Sequence, residues 1–356
     1  MAIQLNDNVY NRTLRPDQPF FKKWSSAGLM LTYRCPSRCA CCYVFSGPDV
    51  HGGATEMSVE SALSHWRAVR NLAGDRGRVH ITGGEPFSDY ERLRQILQAA
   101  CKQRLVGLEK IETNAYWCSE PGLVRRRLGE LAELGLTKLQ ISTDIYHQQY
   151  IPIERVRLGI RIGREVLGAD GVQVRWRDFL SEPVLVGGLS DSQRAEAFAA
   201  ALSRRGERLL GRAAEELASL FPSRDYDSFA DDNCVRSLLG ARHVHVDGAA
   251  NVFSGTCLGI ILAKANGRMG LDAIWLGFDY RQHPIMSVLV DQGPWGLAEL
   301  ARHQGYLPRV GYAGKCHLCF DVRRFLYAEG RYHGWLGPGL CYGQRNCRAN
   351  GVQSSR

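Results

Sequence analysis

The chain has 356 residues, 45% hydrophobic and 23% charged, with twelve cysteines and a formal net charge of +9. That length buries a core for one large domain plus a smaller one, and the composition excludes a disordered chain. The N-terminal stretch "MAIQLNDNVYNRTLRPDQPFF" has no apolar signal segment, and the longest apolar run, near "VFSGTCLGIILA", is too short and glycine-broken to cross a bilayer. A cytoplasmic protein without membrane contact is expected. Thiols stay reduced there, so the cysteines point to metal or redox work rather than a disulfide framework. Basic residues recur in "ERVRLGIRIGREVLGADGVQVRWR" and "FDVRRF" without forming a block. They read as a solvated surface, or as a face for an acidic partner or anionic substrate. No nucleic-acid-binding pattern is present, so no nucleic acid is expected.

An extension over residues 1–25 precedes the first strand, "GLMLTY", which enters a cysteine loop. The helix "SVESALSHWRAVRNLA" follows, with Ser58 as its cap and Val59, Leu63, Trp66 and Arg70 on one stripe. Then come the strand "RVHIT", the turn "GGEP", the helix "DYERLRQILQAACKQ" and the strand "LEKIET". "EPGLVRRRLGELAELG" is a helix expected to start at a Ser119 cap, with Pro121 in its first turn and Gly135 at its end. "KLQIST", "IERVRLGIRIGREVL" and "VQVRWR" continue the alternation. Strand followed by helix, five times by about residue 205, predicts a parallel α/β sheet, open or closed as a barrel, over residues 26–225. Its unusual residues cluster after strand ends, where such folds place active sites. Residues 226–356 carry many glycines and few long helical patterns, and are expected to form a small, loop-rich domain that needs a metal centre.

"LTYRCPSRCACCYVF" holds Cys35, Cys39, Cys41 and Cys42. The spacing C-x3-C-x2-C of Cys35, Cys39 and Cys42 brings three thiolates to three corners of an iron–sulfur cubane. One iron is left open for chemistry. Zinc suits this single triad less well, because it prefers a second distant pair. Cys41, adjacent to Cys42, is expected to point away and pack.

The triad after the first strand resembles the signature of the radical S-adenosylmethionine (SAM) enzymes, and later stretches agree in order. Gly83, Gly84, Glu85 and Pro86 of "ITGGEPF" are similar to that family's GGEP motif; Thr113 and Asn114 of "ETNAYW" follow the third strand; Ser142 and Asp144 of "QISTDIYH" match its ribose-contacting position. The resemblance spans roughly residues 26–180 and implies a partial parallel (β/α) barrel holding a [4Fe-4S] cluster and SAM. One departure is Cys41, where the family commonly has an aromatic residue. The resemblance further implies that one electron cleaves SAM to methionine and a 5′-deoxyadenosyl radical, which takes hydrogen from the substrate. The electron would come from a flavodoxin- or ferredoxin-type donor. Glu85 would accept from the SAM ammonium, and the glycines would let the cofactor approach. A plain turn at GGEP and a helix cap at Asp144 are the structural alternatives.

Cys234, Cys257, Cys316 and Cys319 make a second constellation. The run "CVRSLLGARHVHVDGAANVFSGTC" reads as a hairpin with a cysteine at each end, and "GKCHLCF" adds a C-x2-C pair. This resembles the twitch domain, the shortened relative of the SPASM domain, and implies a second, auxiliary [4Fe-4S] cluster. Structural zinc is the alternative. Cys341 and Cys347 lie too far along for a full SPASM pattern. His243, His245 and His317 are expected to support the cysteines by packing or hydrogen bonding. Cys101 and Cys118 read as structural thiols.

Tyr146, His147 and Tyr150 of "DIYHQQYIP" are candidates for the substrate pocket, His147 as a proton carrier and Tyr146 beside it. Arg175 and Arg177 are candidates for binding a carboxylate or phosphate. The expected reaction is oxidation or cross-linking of a small molecule or peptide. Methyl or 3-amino-3-carboxypropyl transfer is the alternative enzyme, and a cluster-bearing sensor the non-catalytic one.

Overall fold

The computed structural model describes residues 3–50, 55–267 and 269–343. Eight strands form one sheet in the order β5-β4-β3-β2-β1-β6-β7-β8. They are β1 (Ser26–Met30), β2 (Arg78–Thr82), β3 (Leu108–Thr113), β4 (Leu139–Ser142), β5 (Val172–Arg175), β6 (His243–Val246), β7 (Asn251–Ser254) and β8 (Ala263–Lys264). Strands β1 to β6 pair in parallel, and β7 and β8 return antiparallel. The fold is α/β, a mostly parallel sheet consistent with a partial radical SAM barrel.

Helices α1 (Val59–Ala73), α2 (Tyr90–Lys102), α3 (Pro121–Glu133), α4 (Ile145–Gln148) and α5 (Ile153–Leu167) connect the strands. Side chains alternate between the two faces of the sheet along each strand: Val79, Ile81, Ile111, Leu139 and Ile141 are fully buried, while His80, Lys110, Gln140 and Gln173 point to the opposite face. Ser58 caps α1, accepting from the Ser61 amide at 3.1 Å. At α3 the cap is Glu120, not Ser119, and its side chain makes no capping bond; Pro121 fills the first turn, where its missing N–H costs nothing.

Beyond β5 come α6 (Asp178–Ser181), α7 (Asp191–Arg204), α8 (Arg212–Glu216), α9 (Val235–Leu238), α10 (Leu271–Gly277), α11 (Pro284–Asp291), α12 (Gly293–Arg302) and α13 (Lys315–Ala328). The expectation of a loop-rich segment after 226 needs correction, since five of these helices lie there. Pro284 and Pro294 broke the sequence pattern, yet both sit at helix starts. Nor does the boundary near 225 divide the sheet: Ser26 to Leu29 of β1 pair with His243 to Val246 of β6. The N-terminal extension is tied down as well. Asn8 Nδ2 donates to the Trp275 and Phe278 carbonyls at 2.5 and 2.9 Å, and Trp275 Nε1 to the Lys22 carbonyl at 3.1 Å. Trp24, Trp66 and Trp275 are fully buried, each removing roughly 150–250 Å² from water. No helix among the described residues is long and apolar enough to cross a membrane.

Candidate active site

The cysteine loop leaves β1 and is held from three sides. Cys35 N donates to the Gly47 carbonyl at 3.1 Å and Cys42 N to the Cys39 carbonyl at 3.1 Å. The buried Arg212 of α8 donates to the carbonyls of Cys39 (3.2 Å) and Ser46 (2.6 Å). Third, the GGEP turn lies against the exit of β1: Gly84 N donates to the Thr32 carbonyl at 2.6 Å and Glu85 N to that of Arg34 at 2.9 Å. A Cβ on Gly84 would come within 2.2 Å of the Arg34 carbonyl oxygen, and one on Gly83 within 2.5 Å of that of Thr32. Gly83 also has φ +128, which side chains disfavour. These glycines therefore permit backbone to meet backbone and so aim the cysteines.

Cys35, Cys39 and Cys42 converge on a cavity of about 180 Å³ at the carboxyl ends of the strands, with Gly83, Gly84, Pro86, Thr113, Asn114, Ser142 and His147 in its wall. Cys41 lines it too, its thiol 3.9 Å from Asp144 Oδ1. The expectation that Cys41 packs away is corrected: the tight loop turns both adjacent thiols toward the strand ends. Burial pushes the Cys35 thiol well up, with Glu85 adding to it. An unliganded thiolate is thus disfavoured here, as in sites where a metal supplies the compensating charge.

Glu85 and Asp144 stand behind the wall. Glu85 is completely buried. Its oxygens accept from Thr113 Oγ1 at 2.8 Å, the Asn114 amide at 2.8 Å and the Phe87 amide at 3.1 Å. Burial still lifts its carboxyl to about 7, against those bonds. Its donors come from the protein, so it clamps the end of β3 to the GGEP turn. Asn114 then extends Nδ2 to 3.5 Å from Cys35 Sγ. Asp144 caps α4, accepting from the His147 amide at 3.0 Å, and holds His147 Nδ1 at 2.8 Å. Burial would lower the His147 pKa, but the Asp144 carboxylate, with Cys39 beside it, drives it well above its ordinary value.

Tyr146 does not reach the cavity. It is buried and packs on Phe198 with ring centroids 4.8 Å apart, because α4 turns successive side chains in different directions. Tyr150 bonds the Arg38 carbonyl at 3.2 Å. Arg175 lines the cavity and Arg177 does not, since β5 stops between them. The wall also includes Glu112, Glu207, Arg208 and Thr256, none of which the sequence singled out. Glu112 carried a usable signal, an acidic residue alternating with Lys110 on a strand. Glu207 and Arg208 follow α7 in an ordinary-looking charged run. Burial raises the Glu207 carboxyl to about 7, opposed by Arg175.

Cys234, Cys257, Cys316 and Cys319 line a second cavity of about 60 Å³. Cys234 precedes α9, Cys257 follows β7, and the other two lie in the first turns of α13. Burial pushes Cys316 up to about 11, and the neighbouring thiolates add to it. Arg208 lines both cavities, donating to Thr256 Oγ1 at 2.6 Å and lying 4.0 Å from Cys257 Sγ. Cys341 is buried elsewhere, beside Tyr33 and Asp247, and Cys347 lies outside the described residues. Cys118 is buried, but Cys101 is exposed. His317 accepts from the Ala313 amide at 3.2 Å, whereas His243 and His245 lie beside His80 of β2. Their expected support of the cysteines is corrected: β6 places them against β1 and β2.

Residues 29–164 match the family model described as the Radical SAM superfamily. The chain carries a radical SAM domain. Several solved structures are similar to it, among them these three. The first, a crystal structure of BtrN in complex with AdoMet and 2-DOIA, is 16% identical over 77% of this chain and 89% of that one, with a TM-score of 0.45. A structure of Streptococcus suis SuiB bound to precursor peptide SuiA is 13% identical over 91% and 76%, TM-score 0.33. SuiB bound to S-adenosylmethionine is 13% identical over 90% and 77%, TM-score 0.30. Among curated proteins none matches the chain. The matched residues take in the cysteine loop, the GGEP turn and the ends of β3 and β4, while Arg175, Glu207, Arg208 and Thr256 of the same cavity lie beyond them.

Proposed function

We propose that this protein is a radical SAM enzyme that takes hydrogen from a small molecule or peptide and passes an electron to an auxiliary cluster, oxidising or cross-linking its substrate. The observation that carries the reading is the pair of cysteine-lined cavities separated by Arg208 and Thr256.

The donor sets fit the groups the family implies. Cys35, Cys39 and Cys42 would hold a [4Fe-4S] cluster with one iron open to SAM, and the larger cavity has room for an organic cofactor beside it. Cys234, Cys257, Cys316 and Cys319 supply four thiolates in a space a third as large, suited to a compact inorganic group. When bound, the first group supplies the one-electron reduction that opens the SAM sulfonium. The chain's own residues do the rest. Asn114 donates toward Cys35 Sγ and steadies one ligand. Ser142 offers a hydroxyl at the end of β4, on the wall where a ribose would lie. Asp144 fixes His147 through Nδ1 and Cys39 lies beside the ring, so the imidazolium is a positioned donor rather than a mobile base. Arg175, Glu207 and Arg208 give the far wall both charge signs, suited to a zwitterionic or polar substrate. An acidic flavodoxin- or ferredoxin-type donor suits the +9 chain.

The test is anaerobic reconstitution, iron and sulfide counting, and product analysis after reduction with SAM. About eight iron atoms per chain are expected, with 5′-deoxyadenosine and methionine as products. Methylthioadenosine would instead establish fragment transfer, and neither product would overturn the catalytic reading.

A further inference from the structure

Beside the middle of β1, three histidines gather on the polar face of the sheet. The parallel register sets Gly28 of β1 opposite His80 of β2 and also opposite His245 of β6. A Cβ on Gly28 would lie 2.4 Å from His245 Cδ2 and 2.9 Å from His80 Cε1. Gly28 adopts an ordinary extended backbone, so here the missing side chain makes room for imidazoles that lean toward each other across β1. His243, one layer below, completes the group: one ring nitrogen from each of the three lies within 4.8 Å of the others.

We propose that His80, His243 and His245 bind a borderline divalent cation of the zinc type, on the polar face of the sheet next to the larger cavity, whose wall Glu112 shares, with ligands separate from both cysteine sets. His245 Nδ1 donates to the Gly255 carbonyl at 2.6 Å, which fixes the tautomer and leaves the Nε2 lone pair free. Backing of this kind orients metal-binding imidazoles. His243 Nδ1 meets Ser26 Oγ at 2.8 Å. The Nε2 atoms of His243 and His245 stand 3.5 Å apart. That is long for a direct hydrogen bond, and close to the roughly 3.3 Å between two ligands of a tetrahedral zinc with bonds of about 2.0–2.1 Å.

The surroundings suit a cation. Glu112 Oε1 lies 4.0 Å from His80 Nε2, and Glu112 is held by Thr82 Oγ1 at 2.9 Å and Lys110 Nζ at 3.0 Å. Lys110 is the cationic neighbour, and Glu112 balances it. Burial holds His80 down to about 4, and burial with its histidine neighbours holds His243 down to about 2. An all-nitrogen set with one nearby carboxylate selects zinc-like ions over magnesium or calcium. Because the ligands come from both neighbours of β1, the ion would also fasten the β6–β7 hairpin to the first strands of the sheet.

The experiment uses the full chain with its iron–sulfur centres reconstituted anaerobically, and zinc as the probe. Wild type is expected to hold about one zinc per chain beyond its iron. Its zinc-edge X-ray scattering should show nitrogen or oxygen near 2.0 Å and no sulfur near 2.3 Å. His243→Gln should lose that zinc at least tenfold while keeping its full iron content. Equal zinc in wild type and His243→Gln would overturn the proposal. So would sulfur as the scatterer, or no zinc retained by wild type; the rings would then be packed only as stacked, neutral imidazoles. The scattering measurement needs no variant and decides the matter even if His243→Gln does not fold.

Discussion

The two cysteine cavities are built in opposite ways. The first takes its thiols from eight consecutive positions of one loop, fastened by backbone bonds to Gly47 and the GGEP turn and by the Arg212 side chain of α8. The second takes them from α9, the turn after β7 and the start of α13, spanning residues 234 to 319. A group bound at the first meets a loop the protein already holds in place; a group bound at the second closes long loops and adds to tertiary stability. On the proposed reading, the difference separates a site built for chemistry from one that also staples the fold.

Breaking each site should therefore give unlike results. Replacing Cys35, Cys39 and Cys42 together by Ala is expected to abolish 5′-deoxyadenosine formation, a loss of at least about 10³-fold, and to remove about half the iron. The melting midpoint should stay within about 3 °C of wild type. Replacing Cys316 and Cys319 by Ala is expected to remove the other half of the iron and lower the midpoint by about 10 °C. Calorimetry and iron analysis on the same preparations check both. Equal midpoints would show that the second centre does not staple the fold.

The wall between the sites sharpens the comparison. Arg208→Ala keeps every thiol and the whole GGEP turn, but removes the bond to Thr256 and the charge beside Cys257. SAM cleavage should remain within about twofold of wild type, while substrate product per 5′-deoxyadenosine falls about 10-fold. Chromatographic quantitation of both products gives the ratio, and an unchanged ratio would remove Arg208 from the coupling.

What could be read in advance follows the same division. The parallel strands, the cysteine loop and the GGEP turn were legible because each is local: alternation, spacing and turn chemistry lie within a dozen residues. Arg212, Glu207 and Arg208 were not, since they come from short elements after α7 whose charges look like solvated surface until α8 folds back onto the loop. The helices α11 to α13 were hidden by Pro284, Pro294 and the glycines around them, which mark helix starts here rather than breaks. Asp144 and Glu85 were legible as important residues, but their protein partners were not. Their partners His147, Thr113 and Asn114 are fixed by the strand ends, and only the structure shows the carboxylates bonded behind the wall.

Glu85 gives the finest test of that contrast, because it belongs to the preformed site and carries a proton balance of its own. Folding raises its carboxyl from an ordinary 4.5 to about 7 through burial. The folded state thus binds more protons than the unfolded chain between those values. The stabilisation this provides is complete below about 4.5 and is lost as pH rises through about 7. Glu85→Gln cannot titrate, so its stability should fall less steeply than that of wild type from pH 5 to 8 in denaturant titrations. At pH 5, where Glu85 is protonated, the variant should lie within about 1 kcal/mol of wild type, because the neutral acid and the amide each present one acceptor oxygen and one donor to these partners. Parallel pH dependences would mean that Thr113, Asn114 and Phe87 hold Glu85 ionised across this range, and that the turn is clamped by a buried charge rather than by a shared proton.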